Sequence, residues 1–200
     1  VSGMTFGNFM KENIFEPLDM KDTAFAVPES EINRFTSMYT HKGASVGDIQ
    51  REFNDEIFPN DLILMDSYED SPYLKMNKVE DGGSGLISTA EDYLKFGQML
   101  NDRGSFEGKT ILSENAFAML SGSYMEDFGL LGIVSLGVGQ AICMAKITNP
   151  AFSQYYQSEG SLFWGGAAST IFWADPVDDL VLVHMTQVLG PVSYTHLRAH

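Results

Sequence analysis

Near the end of the chain, residues 136–147, 161–164, 167–174 and 180–187 form apolar runs that read as strands, and Asp175-Pro176-Val177-Asp178-Asp179 reads as the turn joining the last two. That succession commits this part of the chain to an antiparallel sheet. The residues before it follow another period. Residues 5–15 place Phe6, Phe9, Met10 and Ile14 along one stripe of a helix, and Pro17 stops it. Ser88-Thr89-Ala90-Glu91 has the S-x-x-E spacing of a capping box, followed by Tyr93, Leu94, Phe96, Met99 and Leu100 and closed by Gly104. Ser113-Glu114 announces a shorter helix holding Ala116, Phe117, Met119 and Leu120. Between residues 18 and 82, short apolar pieces are separated by Pro28, Gly43, Gly47, Pro59 and Pro72, which predicts a loop-rich lobe with short strands. Helices first and an antiparallel sheet last make an α+β layout.

Charge narrows the partners. With 27 Asp+Glu against 12 Lys+Arg, the formal net charge of -15 repels phosphate backbones and anionic lipid, and no run of Lys or Arg offsets it locally. No nucleic-acid partner is expected. Residues 128–145 are 18 consecutive residues without a charge, the length at which a membrane span becomes a question. Gly129, Gly132, Gly137 and Gly139 dilute that stretch, and Ile133, Val134, Val138 and Ile142 suit glycine-kinked buried strands, so no span is expected. Cys143 is the only cysteine, which rules out an internal disulfide and a cysteine-based zinc knuckle. The sequence has no HExxH, no histidine pair at ligand spacing and no Asp-rich calcium loop, so neither a metal nor another cofactor is expected.

Several nucleophile-like patterns are present. Gly43-Ala44-Ser45-Val46-Gly47 matches G-x-S-x-G by letters, but no apolar strand enters the serine and no helical stripe leaves it, so a turn is expected. Ser71-Pro72-Tyr73-Leu74-Lys75 puts the lysine four residues after the serine, one too many for a Ser-Lys pair. Lys109-Thr110 lacks the earlier glycine of a phosphate loop, and His184 alternates within a strand pattern. Trp164-Gly165-Gly166-Ala167 stands apart. Two glycines between apolar neighbours in a strand mark a bulge or a backbone that something approaches closely. In the second case a backbone N–H here donates to an oxyanion, and Trp164 walls the substrate pocket.

At this point the chain resembles the penicillin-recognising serine hydrolases: class C β-lactamases, D-alanyl-D-alanine peptidases and family VIII carboxylesterases. Four stretches carry the resemblance in the family's order. The segment from Ile14 to Phe25 is similar to IFxPLGMxDTxF, with Asp19 replacing the usual glycine. Gly82-Gly83-Ser84-Gly85-Leu86-Ile87-Ser88-Thr89-Ala90-Glu91-Asp92-Tyr93 looks like GGxGLxSTAxDY, and Gly137-Val138-Gly139 like the GLG strand. Trp164-Gly165-Gly166-Ala167 and the residues from Thr170 to Pro176 look like WGGxxGTxFWxDP, with Ser169 in place of its third glycine. The resemblance implies a β-lactamase/transpeptidase-like α+β sandwich, an antiparallel sheet flanked by helices, present as its C-terminal part. It also implies site residues. The backbone N–H of Ala167 becomes an oxyanion donor beside Gly166, while Trp164, Gly165 and Ser84 line the substrate site. The implied partner is a small-molecule ester, peptide or lactam. Trp164 stands where lactamases carry the lysine of Lys-Thr-Gly, so the motif offers no cation to a lactam carboxylate, and esterase- or peptidase-like chemistry is expected.

The family's SxxK nucleophile and its YxN or YxS motif are expected upstream of these residues. No serine here has lysine at +3, and Tyr156-Gln157-Ser158 falls too late in the order. Residues 1–187 therefore read as a partial hydrolase domain, expected to be inactive alone. Val1-Ser2-Gly3 resembles a cut inside a domain, and residues 188–200 read as a non-native or unstructured tail.

Overall fold

A computed structural model describes residues 2–41, 62–75, 79–125, 129–130, 133–134, 136–153 and 155–189. In chain order its elements are helix α1 (Phe6–Met10), a π turn (Lys11–Phe15), a 3-10 turn (Glu29–Arg34), strands β1 (Met38–His41) and β2 (Leu62–Asp66), and a 3-10 turn (Pro72–Leu74). Helix α2 (Ala90–Asn101) follows, then β3 (Ser105–Phe106), β4 (Lys109–Thr110), α3 (Glu114–Leu120), β5 (Gly129–Leu130) and β6 (Ile133–Val134). The chain ends in β7 (Val138–Gln140), β8 (Ala145–Ile147), β9 (Leu162–Gly165), β10 (Ile171–Asp175), β11 (Leu180–His184) and β12 (Val188–Leu189). Its described residues divide into two compact units, the first drawn from residues 2–93, 167–170 and 185–189, the second from residues 94–166 and 171–184.

The first unit opens with Thr5, whose hydroxyl accepts from Asn8 N at 3.2 Å and caps α1. The predicted helix over 5–15 then departs from α geometry. Its backbone widens to i→i+5 bonding, with Glu16 N donating to Lys11 O at 2.9 Å and Met20 N to Phe15 O at 2.8 Å. Widening changes which residues share a face. Phe15 turns inward at 5% exposure beside buried Leu18 and Met20, while Phe6 and Phe9 of the expected stripe are 43% and 40% exposed. Asp92, buried, accepts from Asp22 N at 2.7 Å and from the Thr23 hydroxyl at 3.0 Å, tying the start of α2 to the DTxF segment.

This unit also holds a sheet of order β12-β1-β2, with β1 antiparallel to β2 and parallel to β12. Residues 188 and 189 are thus strand, which corrects the start of the expected tail. The Ser169 hydroxyl donates to Val188 O at 2.9 Å and the Thr40 hydroxyl to Leu189 O at 3.1 Å, so both residues find partners that an isolated tail lacks. Residues 190–200 lie outside the described residues.

The second unit is built on the expected antiparallel sheet, of order β11-β10-β9-β8-β7. The run 136–147 is a hairpin and not one strand, because Cys143 takes a φ of 61° in the turn between β7 and β8. Gly137, at φ 71°, allows the entry to β7: a Cβ there would collide with Asn149 O. Val138, Ala145 and Ile147 form a buried cluster against which Tyr155, Phe163 and Trp164 pack. Helix α2 keeps the predicted extent to within a few residues, but its cap is Thr89, whose hydroxyl accepts from Asp92 N at 3.2 Å; Ser88 instead bonds Thr23 at 2.8 Å. Within the described residues no helix is long and apolar enough to cross a membrane.

Candidate active-site strand and its loops

Strand β9 brings Trp164 and Gly165 into line. Gly165 pairs with Ile171, Trp164 with Phe172 and Phe163 with Trp173 without a register shift, so the glycine step is not a bulge in the paired part of the strand. Neither glycine takes a positive φ. Alternation explains the placement of Trp164, which is half-buried on the Val138–Ala145–Ile147 cluster. Gly166 and Ala167 follow the strand and are exposed, and no acceptor among the described residues takes the Ala167 N–H. Trp164, Gly165 and Gly166 belong to the second unit, Ala167 and Ser84 to the first.

The turn that carries Ala167 is held from within the first unit. Ser169 sits there with a φ of 63°, where the family pattern has glycine. The Thr186 hydroxyl donates to Ala168 O at 2.6 Å and lies 3.2 Å from Ser169 O, and the buried Ser169 hydroxyl donates to Val188 O at 2.9 Å. Sequence reasoning did not single out Thr186. A threonine after a strand carries no signature until the chain has folded back on itself.

Ser84 lies on a second loop of the same unit. The Asp81 carboxylate accepts from Gly83 N at 3.0 Å, Ser84 N at 3.1 Å and the Ser84 hydroxyl at 2.5 Å. The hydrogen bond from the Ser84 hydroxyl, then that from Gly83 N–H, holds the Asp81 carboxyl below the usual carboxylate range. Tyr73 donates its hydroxyl to Ser84 O. Desolvation, and then the charges of Asp66 and Asp81, push the Tyr73 phenol above its ordinary value. Ser84, Asp81 and Tyr73 line a cavity of about 130 Å³ with Phe25, Pro72 and Gly85. A larger cavity of about 450 Å³ lies between α1, the π turn and residues 19–25. The Asp-x-Gly spacing of Asp81 and Gly83 was a legible sign of this side-chain turn.

The other serine patterns fall elsewhere. Ser71 is buried, accepts from Tyr73 N at 3.4 Å and donates to Asp66 at 2.9 Å, a structural cap for the Pro72–Leu74 turn. Ser45 and its glycines lie outside the described residues. Lys109 and Thr110 form β4, in a two-residue ladder with β3. Among the described residues no group of three or more His, Cys, Asp or Glu is placed to hold a metal ion.

Comparison with known proteins places this geometry. The Beta-lactamase family model matches residues 1–200. Protein Rv1367c of Mycobacterium tuberculosis is 28% identical over 184 residues, covering 88% of this chain and 42% of that protein. Among solved structures, "EstCE1, a hydrolase with promiscuous acyltransferase activity" superposes with a TM-score of 0.72 at 17% identity, over 96% of this chain and 49% of its own. Simvastatin Synthase (LovD) from Aspergillus terreus gives 0.69 at 16% identity over 94% of this chain and 46% of its own, and a class C beta-lactamase 0.59 at 12% identity over 98% and 50%. The chain spans about half the length of the proteins it matches.

Proposed function

The chain belongs to the beta-lactamase family, and from that premise we propose that it is part of a serine hydrolase that cleaves an ester or amide through an acyl-enzyme. The observation that carries the reading is the end of β9: a regular strand runs into Gly165-Gly166 and then into the exposed Ala167 N–H, which no described acceptor takes. A side-chain-free strand end with a free, oriented amide suits a tetrahedral oxyanion. The nucleophile and base come from an SxxK outside residues 1–200, since no serine within them has lysine at +3, and a YxN or YxS motif outside them assists proton transfer. Trp164, in the place of a cationic residue, favours an uncharged acyl group over a lactam carboxylate. Ser84 lines the substrate side of its loop.

The test uses the complete gene product. A fluorophosphonate probe is expected to label one serine, in an S-x-x-K outside residues 1–200, and a short-chain p-nitrophenyl ester is expected to be hydrolysed. Ala167→Pro removes the N–H and is expected to lower kcat about 100-fold or more with little change in KM. Absence of labelling and of hydrolysis sinks the reading. A complete gene product that also lacks SxxK then favours a catalytically inactive homologue or truncated relic that binds a peptide or acyl ligand.

A further inference from the structure

We infer that Thr186, together with Ser169, is a positioning residue that sets the direction of the Ala167 N–H; this rests on the hydrolase reading above. Three observations meet at the turn 167–170. First, Ser169 is held at φ 63°, a conformation that costs a residue with a Cβ about 1–2 kcal/mol and is offset by contacts with its surroundings. Second, hydrogen bonds surround that residue: the Thr186 hydroxyl reaches Ala168 O at 2.6 Å and Ser169 O at 3.2 Å, and the Ser169 hydroxyl reaches Val188 O at 2.9 Å. Third, the segment supplying them is itself fixed. Tyr39 N donates to Gln187 O at 2.8 Å, Thr40 to Leu189 O at 3.1 Å, and Val188 and Leu189 pair with β1.

The consequence follows from peptide planarity. The peptide plane joining Ala167 to Ala168 contains the Ala168 N–H and the Ala167 carbonyl, and the next plane carries the Ala168 carbonyl that Thr186 grips. Holding that carbonyl fixes the plane after Ala168, and the pairing of Gly165 with Ile171 closes the short 166–170 loop, so the Ala167 amide between them has little room to swing. Within the first unit, the sheet β12-β1-β2 thus steadies the turn that carries the Ala167 amide. Two hydroxyls replace the steric freedom that glycine gives the family pattern at position 169.

An oxyanion donor acts in the transition state, so loosening it lowers kcat and leaves KM nearly unchanged. In the complete gene product, Thr186→Val is expected to lower kcat about 10- to 100-fold for a p-nitrophenyl ester, with KM within about twofold of wild type. Thr186→Ser, which keeps the hydroxyl, is expected to restore most of the rate. Ser169→Gly relieves the backbone but removes the bond to Val188, and is expected to keep or raise Tm while lowering kcat; it carries the test if Thr186→Val does not fold. Unchanged kcat in an active wild-type background, or loss of rate only in proportion to lost folded protein, overturns the positioning role alone. A wild-type protein that hydrolyses no ester overturns the hydrolase reading and this inference with it.

Discussion

Asp19 and Ser169 hold left-handed backbone, at φ 55° and 63°, at two positions where the family pattern has glycine. Left-handed geometry costs a residue with a Cβ about 1–2 kcal/mol, less for Asp, whose short side chain hydrogen-bonds locally. Ser169 is compensated by its bond to Val188 O, and the exposed Asp19 carboxylate lies 3.1 Å from the Lys21 ammonium. Relief of the left-handed backbone is expected to make Asp19→Gly more stable by about 0.5 kcal/mol, partly offset by the wider unfolded ensemble of glycine. A urea denaturation series checks it, and a lower midpoint means the Asp19 side chain supports its turn. The substitutions were legible as departures from a motif. That both residues keep the glycine-like φ was not, because φ depends on what surrounds the turn.

At the scale of elements, two contacts invite measurement. Helix α2 approaches β11 closely at Gly97, where a Cβ would collide with Val181. Valine is stiff at χ1 and cannot swing aside, so Gly97→Ala is expected to destabilise by about 1 kcal/mol after the helix-propensity gain, and Val181→Ala to suppress most of that cost in a double-mutant cycle. Additive single effects would place the packing limit elsewhere. The second contact closes β10. Burial raises the Asp175 carboxyl, but hydrogen bonds from Ser158, Asp178 and Val177 N–H outweigh it and hold the group below the usual range. A depressed folded-state pKa stabilises fully above the unfolded value near ~3.9, and this contribution is lost as pH falls through the folded value. Wild type is thus expected to lose urea resistance below about pH 4 more steeply than Asp175→Asn. At neutral pH Asp175→Ala is expected to cost about 3 kcal/mol, because three N–H groups lose a charged acceptor. The sequence marked residues 175–179 as a turn, but it could not show Ser158 arriving from a distant loop.

Across the whole molecule, a net charge of -15 is set against a run of exposed apolar residues, Leu62, Ile63, Leu64 and Met65, each 47–56% exposed on β2. Charge keeps copies apart at low salt, and screening removes that protection. Residues 1–200 prepared alone are expected to self-associate as salt rises, with Leu64→Lys reducing it; light scattering that stays monomeric at high salt counts against a sticky β2. The succession of helices and strands, the caps near α2 and α3 and the antiparallel order of the final strands were readable because each follows from local periodicity and neighbouring turn residues. Local patterning also exposed the Trp164-Gly165-Gly166-Ala167 step. What the tertiary structure alone decided was long-range: the parallel pairing of Val188 and Leu189 with β1, and the grip of Thr186 on the Ala167 turn. Those depend on which backbone groups meet across many residues, and a hydrogen bond between positions distant in the chain leaves no periodic trace in the sequence.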